Sequence, residues 1–291
     1  MATSLQNEIF VILNPMARGE RARALRKNLD HLSAHAIIKL TSAAGDATQM
    51  ARRAADQGFR TIVAAGGDGT INEVINGLAL SKARLGILPL GTVNVLAREL
   101  GIPLRIDRAW ELIVQGHSRT IDLARANDKY FVQLAGVGLD AQTIRETTFG
   151  FKKIWGPLSY VLNAARIASY APPRVYVETG GQTHEGCFVL VGNGRYYGGS
   201  FPFFREAALD DGLLDVCIFK SQKHLDLIRY FQAVLIGRLK YLRDVTYLKV
   251  PEVRISAQSE VPVEVDGEFS GSLPATFRIE PAALQVIVPK P

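Results

Sequence analysis

The segment Ala64-Ala-Gly-Gly-Asp-Gly-Thr-Ile-Asn-Glu73 decides the fold, because three glycines join a short apolar run to a helical pattern. The run at residues 61–65 is typical of a buried strand, and residues 70–80 have helical periodicity. Glycine lets the backbone bend tightly and approach a ligand closely, and a helix N-terminus attracts phosphate. The segment predicts a strand, a loop and a helix that bind a nucleotide phosphate. A plain strand-to-helix turn is the alternative.

The rest of the first 120 residues repeats this alternation of strand and helix. The predicted strands cover residues 9–13, 36–40, 61–65 and 85–88, and the predicted helices cover residues 20–35, 46–56, 70–80, 94–100 and 107–115. Such alternation predicts a parallel sheet with helices packed on it.

The pattern changes near residue 120, after which most runs alternate apolar and polar residues. The strand-like runs cover residues 120–124, 129–134, 174–178, 186–191, 213–219, 248–254, 261–265 and 275–279, with helical stretches at 158–169 and 225–241. Alternation of period two is typical of sandwich strands. The sequence therefore predicts an α/β N-terminal domain followed by a β-rich, sandwich-like second domain.

Composition narrows the class of protein without selecting a ligand. The chain has 34 Lys and Arg against 28 Asp and Glu, a net charge of +6 that fits a nucleotide, a membrane surface or a nucleic acid equally well. Cys187 and Cys217 lie in apolar runs, which favours buried thiols over a disulfide. No signal-peptide pattern or apolar run of about 18 residues is present. We expect a cytoplasmic protein whose membrane contact, if any, is peripheral and transient.

A second loop of the same kind follows the next predicted strand, in Leu88-Pro-Leu-Gly-Thr-Val-Asn94. The carboxyl ends of parallel strands meet at one edge of a sheet, where ligands bind, so we expect both loops there. Neither loop contains the GxxxxGK[ST] motif of P-loop enzymes, and no complete dinucleotide-binding fingerprint occurs.

Asp68 places a carboxylate inside the first loop. It would repel a phosphate unless a cation lay between them, which predicts Mg²⁺, bound directly or through water. An Asx-turn, in which Asp68 bonds only local backbone, is the alternative.

An ordered set of short motifs resembles the diacylglycerol kinase catalytic domain superfamily, which includes the sphingosine kinases. The bacterial diacylglycerol kinase-like lipid kinases look closest, and the resemblance covers nearly the whole chain. The motifs are Leu13-Asn14-Pro15, Gly66-Gly-Asp-Gly-Thr70, Pro89-Leu-Gly-Thr-Val-Asn94, Gly136-Val-Gly-Leu-Asp140, Gly192-Asn-Gly194, Asp211-Gly-Leu-Leu-Asp215 and Val265-Asp-Gly-Glu268.

The resemblance implies a phosphofructokinase-like nucleotide domain at residues 1–125, a lipid-substrate domain at 126–280, and a return of residues 281–291 to the first domain. It implies an active site in the cleft between the domains. The residues it implies for nucleotide binding are Asn14, Thr41, Gly66, Gly67, Asp68, Gly69, Thr70, Ile71, Asn72, Glu73, Gly91, Thr92 and Asn94.

The Asp-Gly-Glu motif is similar to the part of the family that supplies the catalytic base. A lipid alcohol becomes a good nucleophile once a carboxylate accepts its proton. Glu268 is the first candidate for this base and Asp266 the second, and on an extended chain the two side chains point the same way. An acidic hairpin turn is the alternative.

The resemblance implies two kinds of magnesium site. A structural Mg²⁺ would be held by the Asp211 side chain and the carbonyl groups of Ala208 and Leu213, with a plain turn before a strand as the alternative. A catalytic Mg²⁺ would lie near Asp68 and Asp122. Many members have an acidic residue where this chain has Val95, so the resemblance implies one carboxylate fewer near the catalytic magnesium.

The resemblance thus predicts a lipid kinase that uses ATP and Mg²⁺ at a membrane surface. An NAD kinase-like enzyme and a catalytically silent nucleotide-binding regulator are the alternatives. Residues 149–155 and the basic amphipathic stretch 227–240 are candidates for membrane contact, although such a segment is more often a helix packed on its own domain. We expect no nucleic-acid partner and allow for a homodimer.

Overall fold

The computed structural model describes residues 9–17, 19–27, 36–139, 141, 172–199 and 201–290. The predicted helix at 158–169, the membrane candidate at 149–155, Asp140 and residues 28–35 of the first predicted helix lie outside these residues. The chain divides into two compact units, Met1–Leu123 with Pro281–Pro291, and Ala124–Glu280.

The first unit contains the predicted parallel sheet. Its strands are Ile9–Leu13 (β1), Ile37–Leu40 (β2), Thr61–Gly66 (β3) and Arg84–Pro89 (β4). They pair in the order β2-β1-β3-β4, each pair parallel. The end of a late strand, Ala275–Ile287, pairs in parallel with β4 through Gln285 and Val286.

Five helices of the described chain belong to this unit. They are Glu20–Lys27 (α1), Asp46–Asp56 (α2), Asp68–Leu78 (α3), Val95–Glu99 (α4) and Ile106–Gln115 (α5). Helix α2 buries small residues against α3, and a Cβ added at Gly77 would lie 2.4 Å from the Thr48 carbonyl oxygen. This close approach fixes the position of α3 and of the loop that precedes it.

The register of the sheet brings the four strand ends level. Leu13 lies opposite Leu40 and Ala65, and Gly66 lies opposite Pro89. The segments after the four strands therefore emerge along one edge, as expected for both glycine loops.

The second unit is built from antiparallel strands. They are Lys129–Phe131 (β6), Leu134–Val137 (β7), Val175–Thr179 (β8), Gln182–Gly186 (β9), Phe188–Gly192 (β10), Tyr196–Tyr197 (β11), Phe201–Pro202 (β12), Leu214–Phe219 (β13), Val245–Val250 (β14), Glu252–Ala257 (β15), Pro262–Val265 (β16) and Glu268–Ser272 (β17), while Ser118–Ala126 (β5) and Ala275–Ile287 (β18) contain the boundaries with the first unit. One sheet has the order β14-β13-β10-β7-β16-β17, and β15 pairs with β8 and β18 in another.

The side chains of these two sheets share one apolar core. Val189 and Val191 from β10 pack in the same cluster as Val177, Ile255 and Phe277 from the other sheet. The predicted sandwich-like domain is therefore confirmed.

Several predicted elements of this unit have different bounds in the structure, and two of them have a local cause. The predicted strand 248–254 is two strands, because Pro251 has no N–H group to continue the ladder. The predicted helix 225–241 is the helix His224–Leu235 (α6) and a short 3₁₀ turn, Leu239–Tyr241. Gly237 has a φ of 69°, which ends the helix between them.

Candidate active site

Two glycines bring the two loops of the first unit into direct contact. A Cβ added at Gly91 would lie 2.7 Å from the Gly67 Cα and 2.9 Å from Asn94 Oδ1. A Cβ at Gly66 would lie 2.4 Å from the Cβ of Thr70. The Leu90 N–H also donates to the Gly66 carbonyl at 2.9 Å. The sequence needs glycine here because any side chain would force the loops apart.

Asp68 joins the first loop to the helix that follows the second. Its Oδ2 accepts the Asn94 N–H at 2.9 Å, and its Oδ1 accepts the Val95 N–H at 2.7 Å. These are the donors that a helix N-terminus leaves without an intrahelical partner. Asp68 therefore caps α4 from a distance in sequence, so its bonds are not those of a local Asx-turn.

Asn94 holds the second loop in shape from inside. It is buried and has a left-handed backbone with φ of 54°. Its side chain accepts the Gly91 N–H at 3.0 Å and donates to the Gly91 carbonyl at 2.7 Å. Asn94 thus shapes the loop. Of the two polar residues predicted to bind nucleotide here, Thr92 is exposed and Asn94 is buried.

The helix α3 presents its first turn at this edge. The first backbone bond within the helix runs from the Ile71 N–H to the Gly67 carbonyl at 3.0 Å. The preceding N–H groups, of Asp68, Gly69 and Thr70, have no partner within the helix. They are the donors that a phosphate would meet.

The end of β1 contributes Asn14. Its Nδ2 donates to Thr70 Oγ1 at 3.1 Å, and its Oδ1 accepts the Met16 N–H at 2.9 Å. The Thr41 N–H bonds the Leu13 carbonyl at 3.0 Å, so Thr41 lies beside the same strand end. The structure thus brings Asn14, Thr41, Thr70 and both loops to one edge.

The segment after β2 is shaped by Asp46. Its Oδ2 accepts the Ser42 N–H, the Ser42 hydroxyl and the Ala43 N–H at 2.8, 2.6 and 2.8 Å. The hydrogen bonds from the Ser42 side chain and backbone lower the pKa of Asp46. Sequence reasoning placed Asp46 at the helix start but missed these bonds, and the N-cap of the helix is Gly45, which makes no side-chain cap bond.

Three predicted nucleotide-binding residues have contacts or burial that limit what they can touch. Glu73 accepts the Ala47 N–H at 3.1 Å, and its carbonyl accepts the Thr48 hydroxyl, so it ties α3 to α2. Ile71 is fully buried, and only its backbone could reach a ligand. Asn72 is half-buried, and its carbonyl accepts a hydrogen bond from the Asn76 side-chain amide at 2.9 Å.

The two carboxylates predicted for catalytic magnesium both accept backbone N–H groups. Buried Asp122 accepts the Ala282 N–H at 2.8 Å, as Asp68 does from Asn94 and Val95. Each oxygen of Asp68 accepts one N–H and keeps a second lone pair, which suits a metal-bound water better than direct coordination by both oxygens. Within the described ranges, no three His, Cys, Asp or Glu side chains group together as a metal centre.

In the second unit, Asp266 lies in a hairpin turn, contrary to the extended conformation predicted for it. Asp266 and Gly267 have φ of 47° and 84°, and Val265 pairs with Glu268 across the turn. The extended chain on which the shared direction of Asp266 and Glu268 depended is therefore wrong, because Asp-Gly suits the two left-handed positions of a tight hairpin. The alternative of an acidic hairpin turn is correct for the backbone.

The Asp266 carboxylate binds a loop of its own unit. It accepts the N–H groups of Val132, Gln133 and Leu134 at 2.9, 2.9 and 3.1 Å. Glu268 is exposed instead, and its Oε2 lies 2.9 Å from Lys129 Nζ. Of the two predicted bases, Asp266 is bound to backbone N–H groups, and Glu268 is accessible to solvent.

The Gly192-Asn-Gly194 motif forms hydrogen bonds with the same loop, residues 132–134. Asn193 donates to the Val132 carbonyl at 2.9 Å, and the N–H groups of Asn193 and Gly194 reach the Gln133 carbonyl at 2.9 and 3.1 Å. A Cβ at Gly194 would lie 2.2 Å from Gln133 Oε1. The Gln133 amide is buried there without a hydrogen bond in the described part of the chain, a feature sequence reasoning missed.

The predicted structural Mg²⁺ site has an ammonium group at its carboxylate. Asp211 Oδ2 lies 2.9 Å from Lys249 Nζ, and Asp211 Oδ1 accepts the Leu213 N–H at 3.1 Å. Lys249 also donates to the Glu206 carbonyl at 3.0 Å and lies 3.7 Å from Asp215 Oδ2. Burial raises the pKa of Asp215, which also accepts the Tyr247 hydroxyl. A divalent ion on Asp211, Ala208 and Leu213 would compete with Lys249, so the arrangement as it stands does not fit Mg²⁺.

Family models match both units of the chain. The model described as the diacylglycerol kinase catalytic domain matches residues 8–126. The model described as the YegS C-terminal NAD kinase beta sandwich-like domain matches residues 133–288. The resemblance predicted from the ordered motifs is confirmed.

Individual relatives agree with these matches. A diacylglycerol kinase of Bacillus subtilis (strain 168) is 34% identical over 256 residues, covering 86% of this chain and 84% of that protein. One of Staphylococcus carnosus (strain TM300) is 32% identical over 255 residues, covering 86% and 83%. A crystal structure of a diacylglycerol kinase from Bacillus anthracis str. Sterne matches 97% of both chains with a TM-score of 0.78 and 29% identity.

Proposed function

The chain belongs to the diacylglycerol kinase family, and we propose that it transfers the γ-phosphate of ATP to the hydroxyl group of diacylglycerol or a similar lipid alcohol. Membership of the family makes it a lipid kinase. We propose in addition that its nucleotide is ATP, its metal is Mg²⁺ and its acceptor is a lipid hydroxyl. The observation that carries the proposal is the pair of glycine loops tied together by Asp68 at the strand ends of the first unit.

The nucleotide phosphates would bind at the first turn of α3. Its free N–H groups and positive helix end favour an anion. Gly67 is only half-buried, and a Cβ there would meet one neighbour, the Gly91 Cα, at 3.5 Å. The backbone is thus open to close approach at Gly67, while Asn14, Thr41 and Thr92 offer polar groups along the same edge.

Magnesium would arrive with the nucleotide, and when bound it neutralises charge on the transferring phosphates. Asp68, each of whose oxygens accepts one backbone N–H, would accept hydrogen bonds from its water ligands, and Asp122 is the second carboxylate that we propose near the ion. The structural Mg²⁺ at Asp211 is a separate proposal, and it requires Lys249 to release the carboxylate.

Glu268 is the group we assign as the general base. It is exposed, and its one ion-pair partner in the described chain is Lys129 at 2.9 Å. An ionised carboxylate can accept the proton of a lipid hydroxyl as the phosphate is transferred. Asp266 is assigned a positioning role, because its oxygens hold three backbone N–H groups that fix the hairpin bearing Glu268.

The acceptor is proposed from the relatives, which are named diacylglycerol kinases. Their substrate is a membrane lipid, so we propose a peripheral membrane contact. Among the helices of the described ranges, none is long and apolar enough to cross a bilayer.

The test is turnover of ATP labelled at the γ-phosphate against diacylglycerol, phosphatidylglycerol, a sphingoid base and NAD, each with Mg²⁺. Diacylglycerol or another lipid alcohol should be labelled, and Glu268→Gln should lower kcat about a hundredfold to ten-thousandfold. Glu185→Gln, a change of another exposed glutamate in the same unit, should leave the rate unchanged.

The assay with NAD tests the alternative of an NAD kinase-like enzyme, whose β-sandwich appears in the description of the C-terminal family model as a likeness of fold. Phosphorylation of NAD alone would overturn the lipid kinase proposal. Equal rates for the wild type and Glu268→Gln would overturn the assignment of the base.

A further inference from the structure

Helix α6 has an apolar face turned to solvent. Leu225, Ile228, Phe231 and Leu235 follow a spacing of three or four residues and are 81%, 55%, 52% and 50% exposed. We call these four residues the outer α6 face. Residues three and four apart lie on one side of a helix, so they form a continuous stripe.

The opposite side of α6 is already packed. Tyr230, Ala233 and Val234 are buried in a cluster with Cys217 and Phe219 from β13. The Phe219 and Tyr230 rings lie 4.9 Å apart. A helix that packs one face against its domain normally has polar residues on the opposite, solvent-facing side. The outer α6 face departs from that rule.

The exposed apolar surface continues beyond the helix. Phe201 stacks on Phe231 with ring centroids 5.7 Å apart. Ile236 and Tyr241 follow the helix and are also exposed. Contiguous apolar surface of this kind marks an interaction site.

Positive charge surrounds this surface. Residues 220–243 contain six Lys and Arg against one acidic residue, Asp226. Arg229 is paired with Asp226 and Asp244, and Lys240 with Glu206. Lys223 precedes the helix and Arg238 follows it; both are exposed, and neither has an ion pair in the part of the chain that the structure describes.

We propose that the outer α6 face docks on the surface of an anionic lipid bilayer. Apolar side chains would enter the acyl boundary while the flanking cations meet negative headgroups. A second copy of the chain is a poorer occupant, because an isologous contact would bring the same positive charges together. The proposal rests on the proposed function, since a kinase acting on a bilayer lipid needs such a contact.

Vesicle sedimentation tests the proposal with the full chain. Vesicles of phosphatidylcholine with phosphatidylglycerol should bind the wild type, and phosphatidylcholine alone should bind it weakly. The double variant Leu225→Gln, Phe231→Gln should lose at least about tenfold in binding. The variant Lys223→Gln, Arg238→Gln should lose binding mainly on anionic vesicles. Val114→Gln, an exposed apolar residue of α5, should bind as the wild type does.

Absence of wild-type binding to anionic vesicles would overturn the proposal. Binding of the Leu225→Gln, Phe231→Gln variant as strong as that of the wild type would also overturn it. If the wild type were a dimer and the Leu225→Gln, Phe231→Gln variant a monomer, with vesicle binding unchanged, the occupant would be a second copy of the chain. That result would also overturn the proposal. Kinase assays with diacylglycerol in detergent micelles separate the two proposals. Activity in micelles supports the proposed function whatever the vesicle result, and its absence counts against that function without affecting the vesicle result.

Discussion

The carboxylate of Asp68 accepts the backbone N–H of Val95 at 2.7 Å and so joins the first glycine loop to the helix after the second. Val95, where the resemblance led us to expect an acidic side chain, thus contributes a backbone donor to Asp68. One carboxylate holds two loops together, and both loops line the edge proposed for the nucleotide.

Replacing Asp68 should therefore affect stability and nucleotide binding together. Asp68→Ala removes the acceptor of two N–H groups at the start of α4, which should lower the free energy of unfolding by about 1–3 kcal/mol. Chemical unfolding and ATP titration measure the two effects. Asp56→Asn, at an exposed aspartate of α2, is the control. An Asp68→Ala protein as stable as the wild type would contradict the capping role.

The two loop glycines should differ in their tolerance of a side chain. Gly91→Ala would place a Cβ 2.7 Å from the Gly67 Cα and should destabilise the unit by about 1–3 kcal/mol. Gly67→Ala meets its nearest atom at 3.5 Å and should fold normally while weakening ATP binding. Thermal unfolding and ATP titration separate the two variants. Equal stability of both would show that the loops can move apart.

Asp266 should matter for stability more than Glu268 does. Asp266→Ala leaves the N–H groups of residues 132–134 without their acceptor, and it should lower the free energy of unfolding by about 2–4 kcal/mol. Asp266→Asn keeps one side-chain oxygen and should lose less. Glu268→Gln, at an exposed residue, should unfold as the wild type does. An unchanged midpoint for Asp266→Ala in denaturant would refute the positioning role.

Lys249 should control whether magnesium binds at Asp211. Lys249→Met removes the cation beside Asp211 and buried Asp215, which should lower stability by about 1–3 kcal/mol. Millimolar Mg²⁺ should then raise the melting temperature of Lys249→Met more than that of the wild type or of Lys220→Met. A large Mg²⁺ effect on the wild type itself would mean that the ion binds without competition from Lys249.

Asp46 predicts a pH dependence for the loop that follows β2. Its pKa is lowered in the folded state by hydrogen bonds from Ser42, so its contribution to stability is present above the unfolded pKa of about 3.9. That contribution is lost as the pH falls through the folded pKa. Asp46→Asn should be less stable than the wild type at pH 7, and the difference should vanish at low pH. Asp128→Asn is the control, and a difference independent of pH would contradict this account.

Local sequence predicted the elements of the first unit well. Strands β1, β3 and β4 are apolar runs closed by glycine, proline or asparagine, and the glycine loops occur where the period changes from two to 3.6. The second unit was harder to predict. Strand β9 is the polar run Gln-Thr-His-Glu-Gly, which pairs with β8 but shows no apolar alternation. Such a strand is defined by its partner and has little signal of its own.

The sequence by itself determined the fold class, the edge of the sheet that carries the glycine loops and the family, because period, turn residues and motif order are local properties. The tertiary structure decided which carboxylates are accessible. Asp68 meets Val95, Asp266 meets residues 132–134, and Asp211 meets Lys249, and each partner is distant in the sequence. A hydrogen bond depends on distances of about 3 Å between such atoms, which only the packed chain defines.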